Sequence, residues 1–151
     1  MVRIMFVCHG NICRSPMAEF ILRDMVHKLG IEKEFVISSC ATSTEEICGD
    51  RGNPVYPPAK AELKKNGITC EGKYAVQLKK SDYDKYDLFL CMDSANVRNA
   101  VRILGGDSEG KVRKLLLDRD VADPWYSGNF EVTYKDISKG CKELLEKGGF
   151  L

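Results

Sequence analysis

At 151 residues and 17.0 kDa, with 44% hydrophobic and 30% charged residues, the chain has the makeup of a single globular domain whose core needs no covalent staples. A formal net charge of +1 excludes a global field directed at nucleic acid or an anionic membrane, and no apolar run is long enough to span a bilayer. The seven cysteines are odd in number and include no Cys-x-x-Cys, and the chain has only two histidines, so no disulfide framework suggests itself and a zinc site is disfavoured. One domain over residues 1–151 is therefore expected, with neither nucleic acid nor membrane as partner and with no metal. The chain opens directly into an apolar strand rather than a leader peptide, so a cytoplasmic protein is expected, monomeric or weakly dimeric.

Taken in chain order, helical and strand patterns alternate. Residues 2–7 (Val-Arg-Ile-Met-Phe-Val) read as a buried strand. Residues 15–29 read as a helix with Ser15 as N-cap and Pro16 as its first residue. Ala18, Ile21, Leu22, Met25 and Leu29 share one face of it, and Gly30 closes it. Phe35 to Ser39 is a second strand, and 41–58 a long polar loop with three prolines. A helix over 59–66 follows, then the most apolar strand, 87–92, expected near the centre of the sheet. Asp93 caps a helix running to about Leu104, and 111–116 is a fourth strand. Phe130, Tyr134, Ile137, Cys141, Leu144 and Leu145 keep helical spacing up to Gly148-Gly149. Such alternation implies right-handed crossovers and a parallel sheet covered on both faces. Cys40, Cys48, Cys70, Cys91 and Cys141 are expected to be reduced and at least half-buried.

Chemistry concentrates between the first strand and the first helix. Cys8-His9-Gly10-Asn11-Ile12-Cys13-Arg14-Ser15 lies where a strand's carboxyl end meets a helix N-terminus, the place where open α/β sheets bind ligands. Backbone N–H groups there form an anion nest, strengthened by the helix dipole. Only a thiolate is a good nucleophile, and a helix N-terminus with a neighbouring guanidinium favours it at Cys8. Arg14 supplies a planar fork for two phosphate oxygens. Ser15 can donate to the sulfur, Gly10 lets the backbone turn its N–H inward, and Asn11 tolerates a left-handed conformation. The plain alternative for Cys8 is an inert buried thiol. The loop as a whole argues for a tetrahedral oxyanion held over sulfur.

The run Val7-Cys8-His9-Gly10-Asn11-Ile12-Cys13-Arg14-Ser15-Pro16 resembles the C-x-G-N-x-C-R-S-P signature of the low-molecular-weight protein tyrosine phosphatases without departure, and the resemblance extends over essentially the whole chain. It implies a four-stranded parallel sheet in the order 2-1-3-4, hydrolysis of phosphotyrosine in protein substrates and of small aryl phosphates, and no cofactor. Downstream, Asp123-Pro124-Trp125-Tyr126 fits the family's general acid followed by aromatic residues, giving Asp123 the proton-donor role and Trp125 and Tyr126 the walls of an aryl slot. An isolated Asp-Pro would be an ordinary turn.

The resemblance places the 41–58 loop on the cleft rim, with Thr44, Glu45 and Glu46 at its edge. Residues 48–51 look like an insertion relative to the family, and Lys73 stands near a histidine that supports the phosphate loop in many relatives. Other reactions share the scaffold. Arsenate reductases need two further redox cysteines; Cys91 is near the first position, and Arg98 stands where the second is expected. Protein-arginine phosphatases carry threonine at the position of Ile12, and a phosphate-binding module without turnover would have lost Cys8, Arg14 or Asp123. Cys13, in the same tight loop as Cys8, is a candidate redox partner for it, or else a small packing residue.

Overall fold

The computed structural model describes residues 1–48 and 51–151. Strands β1 (Val2–Cys8), β2 (Phe35–Ala41), β3 (Leu88–Cys91) and β4 (Val112–Lys114) form a parallel sheet in the expected order 2-1-3-4. Helices α1 (Arg14–Lys28), α2 (Pro57–Lys65), α3 (Ser94–Leu104), α4 (Pro124–Ser127) and α5 (Phe130–Lys147) complete a single α/β domain.

Strand periodicity decides which side chain faces which helix layer. Ile4, Phe6 and Cys8 enter the core shared with α1 and α5, while Met5 and Val7 enter the core on the α3 side with Phe89, Cys91, Ala100 and Leu104. Phe6 is fully buried, worth ~1.5–3 kcal/mol relative to exposure. The four strands of this sheet run the same way, so the carboxyl ends of β1 and β3 and the chain leaving β4 meet on one edge of it. That edge carries the site.

Several boundaries differ from the sequence reading, each for a local reason. α1 starts at Arg14 with Cys13 as N-cap and no side-chain cap. Ser15 is not the cap because its hydroxyl is engaged by Cys8 and Asn11. Leu29 leaves the buried face of α1 and becomes its exposed C-cap. α2 begins two residues earlier than expected, at Pro57, where a missing N–H costs nothing. β2 runs on to Ala41, and β3 and β4 are shorter than their apolar runs.

The 41–58 segment is more ordered than a polar loop. Ile47–Cys48 pairs antiparallel with Arg51–Gly52, and Pro54 bridges to Tyr74. A Cβ on Gly52 would collide with the Ala75 carbonyl, so the ribbon presses backbone to backbone on that strip. Gly49 and Asp50 of the apparent insertion, and the Cys48 side chain, lie outside the described residues. Cys40, Cys70, Cys91 and Cys141 are free and buried, as expected.

Candidate active site

Cys8 ends β1 with only 4% of its surface exposed. Its Sγ receives the Asn11 backbone N–H at 3.3 Å and lies 2.9 Å from Ser15 Oγ. Asn11 makes the turn, at φ 58°, and is the described non-glycine residue with positive φ. Gly10 is not among the glycines with positive φ, and it matters for close approach as well. A Cβ there would sit 3.2 Å from Glu46 Cγ, so the glycine admits the rim loop close to the phosphate loop. Arg14, also 4% exposed, is held on three sides. Its Nη1 lies 3.0 Å from Asp93 Oδ2 and donates to the Val121 carbonyl at 3.2 Å, and its Nη2 lies 3.4 Å from Asp123 Oδ2. Asp123 also caps α4, accepting the Trp125 N–H on Oδ1 at 3.0 Å.

Behind the loop runs a directed chain of hydrogen bonds. Asn11 Oδ1 accepts the Val76 N–H at 3.0 Å, so its amide nitrogen donates to Ser15 Oγ (2.7 Å) and Ser39 Oγ (2.9 Å). Ser39 donates to buried Glu19 at 2.6 Å. Glu19 sits between Arg23 at 2.8 Å and Lys73 at 3.4 Å, and Lys73 also donates to the Ser39 carbonyl at 3.0 Å. Lys73 thus supports the loop from behind, through Glu19 and the Ser39 carbonyl.

A cleft of about 450 Å³ opens above Cys8, walled by Ile12 and Cys13 of the loop, Glu45 and Glu46 of the rim, and Trp125 and Tyr126. A family model described as low molecular weight phosphotyrosine protein phosphatase matches residues 3–148. The chain belongs to that family. It is 38% identical to the low molecular weight protein-tyrosine-phosphatase YfkJ of Bacillus subtilis, over 96% of this chain and 94% of that protein. It is 37% identical to the low molecular weight phosphotyrosine protein phosphatase of Gallus gallus, over 95% of this chain and 94% of that one. The crystal structure of SP-PTP, a low molecular weight protein tyrosine phosphatase from Streptococcus pyogenes, superposes with a TM-score of 0.87 at 35% identity, covering 97% and 93% of the two chains.

In this family member the expected site residues divide into two groups. Cys8, His9, Gly10, Ile12, Cys13, Arg14, Glu45, Glu46, Asp123, Trp125 and Tyr126 line the cleft; Asn11 and Ser15 lie beneath it as buttresses. His9 turns outward, its Nε2 3.1 Å from Glu45 Oε2, so the pair ties the phosphate loop to the rim. Glu46 is fixed by Asn53 at 2.6 Å. Trp125 and Tyr126 are 63% and 87% exposed and flank the opening without closing it. The Cys13 thiol is pushed up to about 12, by burial first and then by neighbouring Cys8.

The sequence marks Asp93 as a helix cap alone. Its carboxylate does both jobs: Oδ1 caps α3 through the Asn96 N–H at 2.7 Å, and Oδ2 holds Arg14. Its place just beyond the carboxyl end of β3 was the available signal. Tyr56, which donates its N–H to the Ile12 carbonyl at 2.8 Å, had no such signal.

Proposed function

We propose that this chain hydrolyses phosphotyrosine in proteins, with Cys8 as nucleophile, Arg14 as phosphate clamp and Asp123 as general acid, the whole of residues 1–151 acting as one catalytic unit. The supporting observation is convergence: buried Arg14 lies in the loop that carries Cys8 and touches Asp123 from 109 residues away. Cys8 sulfur attacks phosphorus as the phosphorus–oxygen bond to the tyrosyl group breaks, and Asp123 passes its proton to the departing oxygen. Water then attacks the thiophosphate, giving its proton to Asp123 and releasing inorganic phosphate and the Cys8 thiolate. Backbone N–H groups of the loop and Arg14 hold the equatorial oxygens throughout. Glu45, Glu46, Trp125 and Tyr126 border the slot for the aryl ring. No step calls for a cofactor or a metal. Cys8, Cys13, Cys40, Cys70, Cys91 and Cys141 are free thiols, which suits the reducing cytoplasm; the reading takes the enzyme as a monomer or weak dimer.

Arsenate reduction is disfavoured by Cys91, which has no exposed surface and whose thiol is raised by burial. Arginine phosphatase is disfavoured by Ile12, a branched apolar residue on the cleft wall suited to an aryl ring. Cys8→Ser should abolish turnover of phosphotyrosine peptide while binding of vanadate or phosphate persists, and a chelator should leave the native rate unchanged. Residual turnover near the native rate in Cys8→Ser would overturn the assignment. Phosphoserine, phosphoarginine and arsenate assayed alongside separate the three reactions.

A further inference from the structure

Tyr56 touches both halves of the candidate site without lining the cleft. Its backbone N–H holds the Ile12 carbonyl of the phosphate loop at 2.8 Å. Its ring lies 5.4 Å from that of Trp125, tilted by 54°, and 6.2 Å from that of Phe130 on α5. Trp125 in turn gives its backbone N–H to Asp123 Oδ1. One residue therefore joins the loop that binds phosphate to the loop that delivers the proton.

The consequence lies in what holds Asp123 once substrate is bound. In the free site its carboxyl has two partners, Arg14 at 3.4 Å and the Trp125 amide at 3.0 Å. A phosphoryl group draws the Arg14 fork onto its own oxygens, since a bidentate phosphate pair is stronger than one long contact. The Trp125 amide then keeps Oδ1, leaving Oδ2 for the proton bound for the leaving oxygen. That amide belongs to α4, a four-residue helix far too short to hold itself in place. Trp125 is largely exposed, and the Tyr56 ring packs against its ring. Tyr56 itself is anchored against the main core and stiffened by Pro57 and Pro58 directly after it.

We propose that Tyr56 is a positioning residue for the general acid, acting through the Trp125 ring. The proposal rests on reading Asp123 as that acid. Its test compares kcat/KM for phenyl phosphate, whose leaving group needs a proton, with dinitrophenyl phosphate, whose leaving group departs without one. Loss of aryl binding alone lowers both equally, whereas a misplaced acid lowers only the first.

Tyr56→Ala should lower kcat/KM for phenyl phosphate about two- to tenfold, the range one aromatic pair can supply, and leave dinitrophenyl phosphate within about twofold of native. Inhibition by inorganic phosphate should hold, and Tyr56→Phe should restore the native ratio of the two esters. Should Tyr56→Ala not fold, Tyr56→Leu, which keeps an apolar group against the core, carries the same comparison. Equal losses on both esters, or a Tyr56→Phe as impaired as Tyr56→Ala, would overturn the proposal. Asp123→Asn is the control. If it shifts the ratio and Tyr56→Ala does not, only the role of Tyr56 fails; if it does not shift the ratio, the general-acid assignment fails and takes the role of Tyr56 with it.

Discussion

Cys8 and Cys13 share one short loop but live in opposite electrostatic settings. Cys8 receives an N–H from Asn11 and lies against the Ser15 hydroxyl, both suited to a negative sulfur. Cys13 is kept protonated by burial and by Cys8 itself. With Cys8 as the proposed nucleophile, peroxide should react there first and convert its thiolate to a sulfenic acid. That oxidation removes the charge beside Cys13, one of the two leading causes of its raised value, and so makes Cys13 easier to ionise when a resolving thiol is needed. Attack of the Cys13 sulfur on the Cys8 sulfur should then form the disulfide, expelling the hydroxyl as water. Native enzyme treated with peroxide should regain activity on addition of a thiol reductant, and Cys13→Ser should regain far less. Equal recovery would leave Cys13 a packing residue.

At the scale of elements, α1, β2 and the segment ending at Val76 are joined behind the phosphate loop by the chain from Asn11 through Ser39 to Glu19. Its direction is fixed at both ends. Glu19, between two cations, accepts the Ser39 proton, and Val76 occupies the Asn11 carbonyl oxygen. Asn11 must then donate to Ser15, which leaves the Ser15 proton for Cys8, with the Cys40 carbonyl a longer alternative at 3.4 Å. Lys73→Met removes one of the two cations from a buried carboxylate. It should cost ~1–3 kcal/mol of stability in a denaturant melt and slow alkylation of Cys8 at fixed pH, with Lys73→Arg recovering most of both. Unchanged alkylation in a well-folded Lys73→Met would show that Lys73 only packs. The Ser15 donation to Cys8 is expected from the sequence, and the resemblance places Lys73 near the supporting position; the path from Asn11 through Ser39 to Glu19 is not legible there, since Glu19 is one of several charged residues of α1. The phosphate loop and Asp123-Pro124 were legible because their chemistry is contiguous. Asp93, Tyr56 and the Lys73 support depend on contacts across 34 to 79 positions, and residue type alone does not reveal such convergence. Strand order and helix faces were readable because period and alternation survive in a single sequence; the ends of β3 and β4 were not, since neighbouring strands decide where pairing stops.

For the whole molecule, the segment that brings Asp123 to the cleft is also a seam in the fold. It leaves β4 and crosses to α5, where Asp136 accepts Arg119 Nη2 at 2.9 Å and the Ala122 N–H at 3.0 Å, and Thr133 donates to the Ala122 carbonyl at 2.8 Å. Burial alone would raise the Asp136 carboxyl, but the bonds from Arg119 and Ala122 and the Arg119 charge outweigh it and hold the group below the usual aspartate range. The Arg3 hydrogen bonds hold Asp87 down in the same way at the opposite edge of the sheet. A carboxyl whose folded value lies below its unfolded one stabilises the fold fully above the unfolded value of about 3.9, and that contribution disappears as pH falls through the folded value. The melting temperature of the native enzyme should therefore be flat near neutrality and fall steeply below about pH 4. Asp136→Asn keeps the side-chain shape but loses the charge and its proton linkage. Its melting temperature should lie below native at neutral pH and decline more gently in acid, so that the two curves converge towards pH 3. Because the same bonds anchor the chain just before Asp123, the variant should also lose kcat/KM for phenyl phosphate more than for dinitrophenyl phosphate. Parallel melting curves would mean that Asp136 acts only as a neutral hydrogen-bond partner, and an unchanged ratio of the two esters would separate the seam from the proposed proton donor it carries.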